Sequence, residues 1–203
     1  MLSRFISGVS ATGGGDADEC YELVLRQART QLSWTPGSVR ALVMIGDCNP
    51  HGPGYPLNRD RIDWRAEAAA LAGEGIRVYA VQALNRREAT AFYRSLASLT
   101  DGFHLQLDQF SSIVSFMLAI CFREEGGDTL DTYEEEVRGQ GRGMNREIHR
   151  LFNTLQVAIN HIVTTYTSFH YRAGTPQEVA VVTAGCQQRG RMVWCLSTLP
   201  GSR

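Results

Sequence analysis

Two hydrophobic rhythms alternate along the first 120 residues. Short, nearly unbroken apolar runs at 39–45, 76–82 and 103–107 have the length of strands covered on both faces. Between them the apolar spacing widens to three and four. Tyr21, Val24, Leu25, Ala28 and Leu32 mark one helical stripe, opened by Asp16 and Asp18 and stopped by the segment Trp34 to Gly37. Ile62, Trp64, Ala68 and Leu71 mark a second helix over 60–73, and two more cover 86–99 and 110–123. Residues 1–11 read as the end of a further helix, with Leu2, Phe5, Ile6 and Val9 on one face. The stretch 48–59 is too rich in proline and glycine to be regular. Strands alternating with helices through short turns predict an α/β fold, a Rossmann-like parallel sheet with flanking helices.

The pattern changes at Glu124. Residues 124–143 are acidic and then rich in glycine and arginine, which predicts a linker. Residues 144–166 carry the strongest helical stripe, with Ile148, Leu151, Phe152, Leu155, Ile159, Ile162 and Val163 on one side. That stripe is too apolar to face water, so it packs on the sheet or docks a partner. The runs 179–183 and 192–196 pair as a hairpin across 187–190. The expected organisation is an α/β unit over 1–123, a linker over 124–143, and a C-terminal extension of helix and hairpin over 144–203.

Composition narrows the function. The 203 residues are 43% hydrophobic, enough for a real core, and the formal net charge of -1 gives no field to attract nucleic acid or an anionic membrane. All 20 basic residues are arginine. With no lysine, a Walker A phosphate loop, a kinase nucleotide-binding lysine and Schiff-base chemistry are excluded. Five cysteines without a Cys-x-x-Cys spacing argue against a zinc site or a disulfide framework and suit a reducing compartment. No signal-peptide pattern and no apolar run near the roughly 20 residues of a membrane span occur, so a cytoplasmic protein is expected.

The candidate chemistry lies in two loops. Asp47 follows Gly46 at the end of a buried strand, where α/β proteins bind ligands. Thr12 and Asp16 flank the glycine loop 13–15. Meeting at one crevice, these loops would offer oxygen ligands to a divalent cation. His51 lies four residues past Asp47; with Asp60 it suggests water activation by a metallohydrolase, although the spacing matches no hydrolase motif. His104, His149 and His161 lack helical ligand spacing and read as structural. Ser7, Ser10 and Ser95 have no nucleophile-elbow context, and the segment 139–144 follows no strand as a phosphate loop would.

Taken in order, the segments 11–19, 42–47, 75–80 and 92–102 resemble a von Willebrand factor type A domain, over about the first 120 residues. The resemblance implies a non-enzymatic protein-interaction module that meets a partner's carboxylate through Mg²⁺ at a metal-ion-dependent adhesion site. Asp47 matches the aspartate of that site. The middle-loop threonine of the family aligns with Gly15, so Asp16 or Thr12 would replace it. His51 and Tyr55, in the neighbouring loop, are the candidates for partner contact. The Asp-x-Ser-x-Ser segment is missing, because the chain starts after its place. Three expectations follow: a truncated domain with an incomplete metal site, weak Mg²⁺ binding, and a bare edge at residues 40–46 through which chains would associate. A metal-free scaffold docking through its C-terminal helix is the alternative, and a metal-dependent hydrolase the lesser one.

Overall fold

One strand of this sheet pairs on one side with a strand 36 positions later, as in Leu42↔Val78, and on the other with a strand from the far end of the chain. The computed structural model describes residues 16–84, 86–140, 144–165, 177–183 and 195–198. In chain order the elements are α1 (Tyr21–Gln31), β1 (Val39–Gly46), α2 (Trp64–Gly73), β2 (Ile76–Ala83), α3 (Thr90–Leu99), β3 (Phe103–Leu107), α4 (Ile113–Glu125), α5 (Gly127–Gly139), α6 (Arg146–Thr165), β4 (Gln177–Thr183) and β5 (Cys195–Thr198). The sheet order is β3-β2-β1-β4-β5. The first four strands are parallel and β5 runs antiparallel to β4.

Alternation along β1 divides the core. Leu42 and Met44 point to one face, with Tyr21, Val24 and Leu25 of α1, Leu71 of α2 and Phe92, Tyr93 and Leu96 of α3. Ala41, Val43 and Ile45 point to the other, with Phe116 and Ile120 of α4, Leu130 and Val137 of α5, and Leu151, Phe152 and Leu155 of α6. Each fully buried large side chain contributes about 1.5–3 kcal/mol, which is why the central strands read as unbroken apolar runs. The helices therefore form one layer on each side of the sheet, the arrangement the α/β pattern predicts.

The expected bare edge at residues 40–46 is overturned. β4 lies parallel to β1 in register Leu42↔Ala180 and Val43↔Val181, so β1 is hydrogen-bonded on both sides. The order of elements along the chain did not reveal this, because hydrophobic period reports a strand and not its partner. Residues 144–165 and 177–183 are correspondingly no appendage: β4 is an inner strand of the sheet, and Ile148, Leu151, Phe152 and Leu155 of α6 are buried against its second face. β4 and β5 pair antiparallel, as the hairpin expectation required, with β5 a few residues later than expected; the turn at 187–190 and the helix end at 1–11 lie outside the described residues.

The linker expectation also fails. Residues 127–139 form α5, which buries Leu130, Tyr133 and Val137 at helical spacing and turns Glu135 and Glu136 to water. Glu135 and Glu136 lie on the solvated face of a packed helix, while Glu134 is buried and accepts from Arg138 and Gln156. Gly126, at φ 142°, makes the break between α4 and α5 in a backbone region that favours glycine. Buried carboxylates join the elements: Glu124 of α4 accepts from Arg77 and from the hydroxyl of Tyr79 in the sheet, and Glu67 of α2 accepts from Arg26 and Arg29 of the neighbouring α1. No described helix is long and apolar enough to cross a membrane.

Candidate functional site at the carboxyl end of the central strand

Gly46 ends β1 against a pair of tyrosines. A Cβ on this residue would lie 2.0 Å from the Tyr21 hydroxyl oxygen and 2.8 Å from that of Tyr93, so only glycine fits. The two rings are fully buried and their hydroxyls lie 3.2 Å apart. The Tyr21 oxygen accepts from the backbone N–H of Asp47 at 3.2 Å, fixing the first residue beyond the strand. Burial pushes the Tyr21 phenol up to about 12, so it stays neutral and acts as an anchor.

Asp47 thus sits where the sequence places it, and its carboxylate is already engaged. Oδ2 lies 3.0 Å from Arg86 Nε, and Oδ1 accepts from the Cys48 thiol at 3.3 Å. Arg86 comes from the loop after β2, the strand beside β1. Its own carbonyl accepts from the Gln82 side chain at 2.6 Å. Burial and the bond to Asp47 push the Cys48 thiol up to about 11, so it carries no thiolate nucleophile near neutral pH.

Asp16 does not cap a helix. It lies four residues before Cys20, the N-cap of α1, and its Oδ1 faces His51 Nε2 at 3.1 Å. Bonds from His51 and Tyr55 hold the Asp16 carboxyl below its ordinary value. The loop 48–59 folds back over the start of α1: the Glu19 N–H donates to Asn49 O and the His51 N–H to Glu19 O. His51 ends up 5% exposed, stacked on Tyr55 with ring centroids 3.8 Å apart, and its Nδ1 lies 3.9 Å from Glu22 Oε1. Glu22 is itself buried, which raises its carboxyl. As a partner contact His51 is therefore covered, and Tyr55 forms the outer layer.

The structure brings Asp16 and His51 together and gives Asp47 a different partner. Thr12 and the glycines 13–15 lie outside the described residues. Asp60, the third member of the hydrolase arrangement, pairs with Arg26 at 3.5 Å and is largely exposed. Among the described residues no group of three or more His, Cys, Asp or Glu side chains is placed to hold a metal. The carboxylates facing His51 lie on its two different nitrogens, so they do not converge on one point. For Mg²⁺, which needs near-octahedral oxygen coordination, the described residues offer one carboxylate already paired with a guanidinium, and this donor set does not fit. Sequence reasoning missed Arg86, Glu22 and the tyrosine pair. The only signal for Arg86 was its place just past the carboxyl end of the strand beside β1.

No family model, curated protein or solved structure matches this chain.

Two loops that leave this end of the sheet carry exposed apolar side chains. Leu84, in the loop between β2 and Arg86, is 67% exposed and holds φ at 56°, a left-handed conformation unfavourable for a leucine. Leu57, in the loop after β1, is 64% exposed. Parallel strands send both loops out of the same end of the sheet.

Proposed function

We propose that the chain is a non-enzymatic protein-interaction module, resembling a von Willebrand type A domain, that docks a protein partner on the carboxyl-end face without a resident metal. The observation that carries this reading is Leu84: a large apolar side chain held in water, in a left-handed conformation, two residues before the Arg86 that pairs with Asp47. Strained backbone positions cluster at binding and switch regions. The Asp47–Arg86 pair supplies a polar centre, and Leu57 and Leu84 supply the apolar contacts that make interfaces stick. Three features weigh against catalysis: the protonated Cys48, the buried and doubly faced His51, and the separate partners of Asp47, His51 and Asp60. Docking through the C-terminal helix loses its surface, because the described part of its apolar stripe is buried against its own sheet.

The test compares proteins retained by the full chain, by Leu84→Glu, and by Val39→Glu, which alters an exposed apolar residue at the opposite end of β1. A set held by the wild type and by Val39→Glu, lost with Leu84→Glu and unchanged by chelator supports the reading. Equal loss in both variants, or loss in chelator, refutes it.

A further inference from the structure

A second site lies away from the carboxyl-end face, along the outer edge of β3. A cleft of about 180 Å³ is lined there by Arg94 of α3, His104 and Gln106 of β3, and Arg150 and Thr154 of α6. The two arginines come from helices on opposite faces of the sheet and meet at its open edge. Arg94 makes no ion pair or hydrogen bond among the described residues. Arg150 gives one nitrogen, Nη2, to Asp108 Oδ2 at 2.9 Å and to the Gln106 carbonyl at 3.2 Å, leaving its remaining donors free of described partners. Counting Asp108 against the two guanidiniums leaves one net positive charge. Liquid water takes roughly 30 Å³ per molecule, so the cleft has room for a small anion with a few waters.

The tautomer of His104 adds a second requirement. The Gln82 amide is fully buried, and its NH₂ donates to the Arg86 carbonyl and the Thr90 hydroxyl. Its oxygen must therefore accept, and the partner 2.9 Å away is His104 Nε2, which carries the proton. Nδ1 is then the bare nitrogen of a neutral ring. Burial, followed by the charges of Arg94 and Arg150, keeps the imidazole below its ordinary value and so neutral near pH 7. His104 lines the same cleft as the two guanidiniums, so a ring with one bare nitrogen stands beside those donors.

We infer that the β3-edge cleft binds a tetrahedral oxyanion that still carries a proton, inorganic phosphate, with Arg94 and Arg150 meeting its charged oxygens and His104 Nδ1 accepting its hydroxyl. Guanidinium forks suit phosphate geometry. At pH 7 phosphate retains at least one hydrogen and sulfate retains none, so the acceptor distinguishes them.

The experiment is a ¹H–¹⁵N titration of the full chain with inorganic phosphate, sulfate and acetate, repeated on Arg94→Gln and on Arg87→Gln. Arg87 is exposed and lies outside the cleft. Phosphoserine, whose phosphate is mostly the proton-free dianion at pH 7, is run as a further arm and should bind as weakly as sulfate. Saturable phosphate shifts centred on residues 94, 104 and 150 are expected, with sulfate and acetate weaker by roughly tenfold, the effect of one lost charge-assisted bond. Arg94→Gln should weaken phosphate by a similar factor and Arg87→Gln should leave it unchanged. Absence of saturable shifts at millimolar phosphate, equal binding of sulfate, or equal losses in the two variants would each overturn the site.

Discussion

Asp47 and Arg86 meet at 3.0 Å across the ends of two adjacent strands, so the carboxylate that the sequence offers to a cation is answered by a side chain of the same molecule. Arg86 is half exposed and Asp47 a quarter exposed. A pair this wet contributes at most about 1 kcal/mol. Asp47→Asn should therefore change the unfolding free energy by less than about 1 kcal/mol in urea. Arg86→Gln removes the competing charge, and calorimetry should find Mg²⁺ uptake stronger than in the wild type and lost again in the Arg86→Gln, Asp47→Asn double variant. Identical heats for all three proteins would show that Asp47 has no cation affinity to uncover.

Gly46→Ala tests the tyrosine anchor. The added methyl meets the Tyr21 oxygen and Cζ, at 2.0 and 2.7 Å, and neither fully buried ring has room to move. Overpacking of this kind costs about 1–3 kcal/mol. Tyr21→Phe, which strips the acceptor from the Asp47 N–H, should cost roughly 1–2 kcal/mol on its own. Because both changes act on one contact, the double variant should fall short of the sum of the single losses. Strict additivity in chemical denaturation would mean that the two residues do not touch.

Leu84→Gly separates stability from binding. Glycine adopts the left-handed region without a Cβ clash, so relief of the strain should raise stability by about 0.5–1 kcal/mol, after the extra freedom of the unfolded chain is subtracted. The same change deletes the exposed side chain and should abolish retention of the partner set. A variant both less stable and fully competent in binding would contradict the role given to Leu84.

Glu67 predicts a pH dependence. Burial alone would raise its carboxyl, but the bonds from Arg26 and Arg29 outweigh this and hold it below its ordinary value of 4.5. A depressed folded-state value means that the unfolded chain binds the proton more readily. The stabilisation is thus complete above pH 4.5 and disappears as the pH falls through the folded-state value. Melting temperatures of wild type and Glu67→Gln should differ at neutral pH and converge on acidification. A gap that persists at low pH would assign the loss to packing.

Much of this fold is written locally. The apolar runs of β1 to β3 and the stripes of α1 and α6 are periodic, and period is a property of neighbours in sequence. What the periodicity left out is long range. Val179 to Val181 read as a hairpin strand, yet their core role comes from pairing with β1, which no local pattern encodes. The run Glu134 to Glu136 read as a solvated connector because charge was weighed above the spacing of Leu130, Tyr133 and Val137. At the site, Asp47 was legible because a strand end is a local feature. Its pairing with Arg86, and the burial of His51 beneath Tyr55, depend on how two loops fold over one another. Nothing in the order of residues 48–59 specifies that.

The position of β4 also sets an order of events. Its partner residues in β1 lie about 140 positions earlier, as in Leu42↔Ala180, so one seam of the sheet cannot close until residues 177–183 have been synthesised. Until then the growing chain carries three parallel strands in the order β3-β2-β1, whose edge member β1 has open hydrogen-bonding groups along the side that β4 will cover. Contacts of such long sequence separation form slowly, and an open strand invites pairing with other chains. Nascent protein is therefore most vulnerable to aggregation in the interval between β3 and β4, and a helper that shields that seam would raise the yield of folded molecules without altering their final stability.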